Sequence, residues 1–138
     1  MSKAEDFLLR AGIAERRMNA AIRKREFFRE LAEKVTSPMD GERVSGGSSV
    51  DSHESALISY IQANEDVSRL TQEYTDTVSE ISDKIAEMDS QILGEMLENR
   101  YLRHMNITEI ANNLYRTRNW VYTNLDRALM QLESVLNR

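Results

Sequence analysis

The sequence of 138 residues contains no cysteine, only two histidines and a single proline. Without cysteine the chain forms no disulfide, no thiolate metal site and no cysteine nucleophile. His53 and His104 have no partners at metal-ligand spacing, so we expect no bound metal. No apolar run approaches the roughly 18 residues that span a bilayer, and the N-terminus lacks the apolar region of a signal peptide. We therefore expect a cytoplasmic protein without a membrane partner.

The sequence also lacks the short motifs that accompany enzymatic chemistry. It contains no nucleophile motif, no glycine-rich phosphate loop and no pair of carboxylates in an apolar setting. Glu109 is better explained as an acid in the first turn of a helix, where it interacts favourably with the positive helix end. We therefore predict a protein that is not an enzyme and that has no cofactor.

The formal charge of -5 is distributed unevenly along the chain. Residues 1–35 contain nine basic and six acidic residues, and residues 96–138 contain six arginines and four acidic residues. Residues 36–95 contain three basic and thirteen acidic residues. Net acidity argues against nucleic-acid binding in general, but here the negative charge is confined to the middle of the chain. Both ends remain compatible with an anionic partner.

Glycine, serine and proline interrupt the helical pattern in one main place. Pro38 disfavours a helical conformation at the residue before it, and residues 45–49 are glycine and serine only. We predict a flexible loop over 36–51, which separates an N-terminal helix over 1–35 from a second helix over 52–89.

Both of these helical segments carry apolar residues at steps of three and four, which is the spacing of a stripe along one helix face. Asp51 or Ser52 is the predicted N-cap of the second segment. The narrow stripe suits a partner helix better than a globular core, so we predict an antiparallel helical hairpin or coiled coil. The same seam would also serve a second copy of the chain in a homodimer. The apolar residues of this pattern are Phe7, Ala11, Ala14, Met18, Ala21, Phe28, Leu31 and Val35 in the first segment, and Leu57, Ile61, Val67, Leu70, Tyr74, Val78, Ile81, Ile85, Met88 and Ile92 in the second.

The C-terminal segment over 90–138 contains shorter and denser helical patterns. Ser90 offers an N-cap for a helix whose apolar face ends near Met105. No segment anywhere in the sequence shows the apolar and polar alternation of a β-strand. The predicted fold class is therefore all-α.

A short helix, a tight turn and a longer helix follow in this segment. Asn106 is the predicted N-cap of a helix over 107–114, and Thr117 is the predicted N-cap of a helix that starts at Arg118. This succession is typical of a helix-turn-helix, in which the second helix enters the DNA major groove.

A set of residues in and around this helix pair follows a known pattern. They are Arg100-Tyr101-Leu102, Glu109-Ile110-Ala111, Leu114, Thr117, Val121 and Arg127-Ala128-Leu129. With these residues, the stretch from Tyr101 to Leu132 resembles region 4 of bacterial sigma factors. The wider layout is similar to small phage and prophage proteins of Gram-positive bacteria, sigma-region-4-like transcription regulators related to the ArpU/RinA-type late-gene regulators. The resemblance implies a three-helix helix-turn-helix domain, a promoter as the double-stranded DNA target, and contact with RNA polymerase in the bacterial cytoplasm.

Two positions depart from the family pattern. Tyr115 stands where the pattern usually has glycine, so we expect it to adopt a left-handed conformation under strain or to alter the turn. Arg116 stands where an apolar residue usually packs back against the helix.

If the last helix enters a groove, its first two turns face the bases. Arginine forks onto guanine and asparagine pairs with adenine, which assigns base contacts to Arg118 and Asn119. Tyr122 and Thr123 suit phosphate or thymine-methyl contacts, and the exposed amides near Thr117 form an anion site at the helix start. The predicted phosphate contacts are Arg103, Arg116 and Arg127.

Two functions from different classes fit these residues. The first is a sequence-specific DNA-binding transcription regulator of phage or prophage genes. The alternative is a helical assembly or DNA-packaging adaptor similar to a small terminase subunit, in which the C-terminal helices serve packing.

Overall fold

The computed structural model describes residues 2–36 and 46–138, and no strand occurs in these residues. This confirms the all-α prediction. Among the described residues, no helix combines the length and apolarity that crossing a membrane requires. The helices are α1 (Lys3–Thr36), α2 (Gly46–Ala86), α3 (Gln91–Leu97), α4 (Ile107–Leu114) and α5 (Arg118–Leu136), and a π-helical segment (Glu98–Leu102) continues α3.

The chain forms two compact units, and the division passes through both long helices. The core unit comprises Met1–Ala14 and Tyr74–Arg138, and the hairpin unit comprises Glu15–Glu73.

One apolar cluster holds the core unit together. Leu8 of α1, Ile81 of α2, Met96 of α3, Ile110 of α4 and Val121 of α5 are all completely buried. Burying one such side chain fully contributes about 1.5–3 kcal/mol. The cluster therefore fixes α4 and α5 against each other and against the other helices of this unit.

In the hairpin unit, α1 and α2 pack through a seam of alanines. Ala21 of α1 and Ala56 and Ala63 of α2 are at most 8% exposed. Ala21 shares a groove with Ala63, and Arg17 Nη1 lies 3.0 Å from Glu73 Oε1. Lower residue numbers on α1 thus meet higher numbers on α2, so the two segments run antiparallel within one chain. Small side chains let the two backbones approach closely but bury little area each.

The loop predicted over 36–51 is wrong at both ends. Thr36 still belongs to α1, and α2 begins at Gly46 instead of at the predicted cap, Asp51 or Ser52. Residues 37–45 lie outside the described residues. Adding a residue to an existing helix costs far less than starting one, so α2 extends through glycine and serine.

The second predicted helix is also too long at its C-terminal end. α2 stops at Ala86, and the backbone N–H groups of Glu87 and Met88 donate to carbonyls three residues earlier, Lys84 and Ile85, at 3.1 and 3.0 Å. This tight last turn places Met88 in the apolar cluster of the core unit. Burial of Met88 explains why the chain leaves the helix before Asp89.

Candidate nucleic-acid interface

The start of α4 is fixed by a reciprocal pair of hydrogen bonds. The backbone N–H of Glu109 donates to Asn106 Oδ1 at 2.9 Å, and the backbone N–H of Asn106 donates to Glu109 Oε1 at 2.9 Å. This capping box satisfies two helix-end donors and confirms Asn106 as the N-cap. It also confirms that Glu109 acts as a first-turn acid.

The turn after α4 depends on a tyrosine in the left-handed conformation. Tyr115 has φ 56° and ψ 45° and is 90% exposed. The backbone N–H of Arg116 donates to the carbonyl of Ala111 at 2.9 Å, which closes the end of α4. Tyr115 therefore adopts the left-handed conformation, which is one of the two outcomes expected from the sequence. A side chain in this conformation costs about 1–2 kcal/mol.

The start of α5 is capped as the sequence predicted. The backbone N–H of Trp120 donates to Thr117 Oγ1 at 3.0 Å, so α5 begins at Arg118. The unpaired N–H groups and the positive end of the helix dipole face outwards there. The sequence prediction of this helix start is confirmed.

The first two turns of α5 divide into a buried side and an exposed polar side. Val121 is completely buried in the core unit. Arg118, Asn119, Tyr122 and Thr123 are all exposed, Tyr122 at 66%. With about 100° of rotation per residue, these four side chains share one arc of the helix on the side away from Val121. The structure thus brings together on one arc the four residues that the sequence placed on the exposed face of this helix.

Arg116 and Trp120 form a stacked pair beside this arc. The guanidinium Cζ of Arg116 lies 5.3 Å from the centroid of the Trp120 ring. Trp120 is half-buried and packs against the apolar cluster. The stack gives the charge of Arg116 a defined position at the start of α5.

Arg103 and Arg127, the other two predicted phosphate contacts, have different surroundings from Arg116. Arg103 Nη1 donates to Asn99 Oδ1 at 2.9 Å, so this side chain is held against the π-helical segment. Arg127 is exposed on α5 beyond the second turn.

Sequence reasoning missed several residues around this surface. Asp126 and Met130 are exposed on the same arc of α5, one and two turns beyond Tyr122, and Met130 is 68% exposed. Asp126 places a negative charge on the third turn of α5, on the side that would approach the DNA phosphates. Asn99 is completely buried, and only its position among apolar residues signalled it in the sequence.

The described residues contain no group of histidine and carboxylate side chains that could hold a metal ion.

In the core unit, burial raises the pKa of Tyr101, while a hydrogen bond with Arg100 acts in the opposite direction. The phenol is therefore neutral at neutral pH.

Comparisons of the chain with protein-family models, with curated proteins and with solved structures found no match.

Proposed function

We propose that the protein is a sequence-specific DNA-binding transcription regulator that reads the major groove with the first two turns of α5. One observation carries this proposal. Four hydrogen-bonding side chains are exposed together at the start of a helix whose opposite side is fixed in the core unit. A capped helix start of this kind suits the major groove, which admits one α-helix.

Arg118 and Asn119 supply sequence discrimination in this account. The Arg118 guanidinium donates to O6 and N7 of a guanine, and the Asn119 amide pairs with N6 and N7 of an adenine. Each such bidentate contact is worth about 1–3 kcal/mol against the wrong base. Thr123 Oγ1 donates to the Asn119 carbonyl at 2.7 Å, which leaves its methyl group for a thymine.

Contacts with phosphates position the helix. Arg116, held by its stack on Trp120, places a positive charge beside the α5 start, where exposed amides also attract an anion. Arg127 extends this set along α5. Arg103 is tied to Asn99, so its contribution to DNA binding is the smallest of the three.

Transcription as the process rests on the resemblance to sigma region 4. That resemblance favours a promoter as the DNA target, RNA polymerase as a protein partner, and a phage or prophage gene as the site of action in the host cytoplasm. The turn from α4 into α5 supports this, because Ile110, Leu114 and Val121 are all buried between the two helices.

The test is selection from a random pool of DNA duplexes, followed by binding measurements on the enriched sequence. We expect enrichment of a short motif by the parent chain. Arg118→Ala and Asn119→Ala should each weaken binding to that motif by about tenfold to a hundredfold, and each should relax specificity at one base pair.

Asp83→Ala is a matched control, because Asp83 is an exposed polar residue of α2 in the core unit. It should leave the selected motif and the affinity unchanged. Failure to enrich any motif, or a motif that both α5 variants still prefer, would exclude the proposed reading helix and favour the packing role of the C-terminal helices.

A further inference from the structure

The hairpin unit exposes large apolar side chains that its own pair of helices leaves uncovered. Phe27 of α1 is 59% exposed, and Ile58 and Ile61 of α2 are 56% and 55% exposed. The buried residues of the seam include Ala21, Ala56 and Ala63, and these three larger side chains lie outside it. Neighbouring exposed apolar side chains on one helix face, such as Ile58 and Ile61, mark a site of contact with another molecule.

These side chains lie on the outer sides of the two helices. Ile58 and Ile61 are each two residues from a seam alanine, Ala56 and Ala63, which places them about 160° around α2 from the seam. Phe27 is six residues after the seam residue Ala21, which places it about 120° around α1 from the seam. The two sides point away from each other, so one chain cannot cover them by itself.

On α1, the exposed ring lies between two positive charges. Arg23 is four residues before Phe27 and Lys34 is seven residues after it, so the three share one helix face. Both charged residues are exposed, and none of the ion pairs or hydrogen bonds resolved in the described residues involves either of them. We name Arg23, Phe27 and Lys34 the α1 stripe.

On α2, the two exposed isoleucines lie between two negative charges. Glu54 is four residues before Ile58, and Glu65 is four residues after Ile61, so all four share one face. Both glutamates are exposed and are likewise outside the ion pairs of the described residues. We name Glu54, Ile58, Ile61 and Glu65 the α2 stripe.

We propose that the α1 stripe of one chain packs against the α2 stripe of a second copy. The charged ends of each stripe are eleven residues apart, about 16 Å along a helix, and they have opposite signs. An antiparallel alignment places Arg23 against Glu65 and Lys34 against Glu54, and brings Phe27 onto the isoleucines. The two helices of the hairpin unit also carry opposite net charges. Residues 15–36 contain seven basic and four acidic residues, and residues 46–73 contain one basic and five acidic residues.

The register of this alignment matches the register within one chain. Arg17 lies opposite Glu73 inside the hairpin unit, and the alignment of Arg23 with Glu65 differs from that register by two residues, or about 3 Å. Neighbouring hairpin units therefore lie side by side at nearly the same height.

Because the two stripes occupy outer sides of different helices, each chain uses one stripe for each neighbour. Such a head-to-tail contact builds a ring or an open array instead of a closed dimer. It does not depend on DNA binding.

Sedimentation velocity of the nuclease-treated full chain tests this assembly. We expect the parent to form species larger than two chains, with less assembly at high salt because the contact is charged. Arg23→Glu with Lys34→Glu makes both stripes acidic, and Glu54→Lys with Glu65→Lys makes both basic. Each double variant should need about tenfold more protein, or more, to assemble, since like charges then face each other. An equimolar mixture of the two should recover assembly.

Matched controls separate this contact from charge effects in general. Glu95→Lys with Asp126→Lys changes the net charge by the same amount as Glu54→Lys with Glu65→Lys. Both residues are exposed in the core unit, so this variant should retain assembly. Ile61→Gln keeps the charges, removes exposed apolar area and should weaken assembly, and helicity by circular dichroism should stay constant in every variant. A parent that stays monomeric at every concentration would overturn the proposal, since the stripes would then serve a different molecule. A closed dimer, or assembly that both double variants retain when alone, would also overturn it.

Discussion

Asn99 Nδ2 donates a hydrogen bond to Asn113 Oδ1 at 2.8 Å, which joins the π-helical segment to α4. Asn99 Oδ1 accepts from Arg103 at 2.9 Å, and the backbone carbonyl of Asn99 accepts from Met105 at 2.9 Å. The side-chain amide of Asn99 thus links the π-helical segment to Arg103 and to α4, and its backbone carbonyl binds the connection before α4. The position of α4, and through it of α5, depends on this side chain.

We expect Asn99→Ala to lower the free energy of unfolding by about 1–3 kcal/mol, because it removes the hydrogen bonds to Arg103 and Asn113, each worth about 0.5–1.5 kcal/mol. Denaturant unfolding measures this change. Asn112→Ala is the control, since Asn112 is exposed on the same helix as Asn113. Equal stability of the two variants would show that the buried amide does not hold α4.

Tyr115→Gly should stabilise the protein. Glycine adopts the left-handed conformation of this position without the cost of about 1–2 kcal/mol that a side chain carries, although it loses about 0.5–1 kcal/mol of chain entropy. The expected net gain is up to about 1 kcal/mol, measured by thermal or denaturant unfolding. Tyr122→Gly is the matched comparison, and it should destabilise by about 1 kcal/mol because Tyr122 lies inside α5. A loss of stability in Tyr115→Gly would contradict the strain at this turn.

Asp126→Asn should strengthen binding to any DNA duplex. The side chain is exposed on the arc that carries Arg118 and Asn119, so its charge repels phosphates. We expect about a two- to fivefold gain in affinity at low salt that fades as salt rises. Fluorescence anisotropy with a labelled duplex measures it. Asp83→Asn, which removes an acid from α2, should give no such gain, and equal gains in both variants would place the DNA elsewhere.

The ion pair between Arg10 and Glu80 should make stability depend on pH. Arg10 Nη2 lies 2.9 Å from Glu80 Oε2, and hydrogen bonding by Arg10 lowers the pKa of this half-exposed carboxyl. A lowered folded-state pKa contributes stability above the ordinary glutamate pKa, and this contribution is lost as pH falls through the folded value. We expect Glu80→Gln to cost about 0.5 kcal/mol at neutral pH and nothing in acid.

A double-mutant cycle with Arg10→Gln isolates this pair. The coupling energy between Arg10→Gln and Glu80→Gln should be about 0.5 kcal/mol at neutral pH and should vanish in acid. A coupling energy that does not change with pH would show that the carboxylate charge is not responsible.

The caps of the C-terminal helices were predictable from sequence because each depends on residues three positions apart. Asn106, Thr117 and Ser90 hydrogen-bond within their own first turns, so local sequence is sufficient. The exposed arc of α5 followed from the same periodicity. The start of α2 was not predictable in this way, because the helix continues through residues with weak helix propensity.

Other features of the core unit depend on contacts that no local pattern reveals. The π-helical segment and the burial of Asn99 require Asn113, fourteen residues away. Arg103 was assigned to phosphate because it is basic and close in sequence, but its hydrogen bond to Asn99 follows from tertiary packing. Of the seam alanines, Ala21 belongs to the predicted stripe, but Ala56 and Ala63 were not predicted. The prediction that Leu57 and Ile61 belong to the apolar stripe is wrong, because both are exposed. Which side of α2 faces α1 depends on tertiary packing that periodicity alone does not reveal.

Methylation interference on the selected duplex shows whether the first two turns of α5 enter the major groove. Methylation of guanine N7 blocks the major-groove edge that Arg118 is proposed to contact. We expect methylation of one guanine to abolish binding by the parent and to have little further effect on the residual binding by Arg118→Ala. Interference that is identical for the parent and Arg118→Ala, or that occurs only at minor-groove positions, would contradict the account.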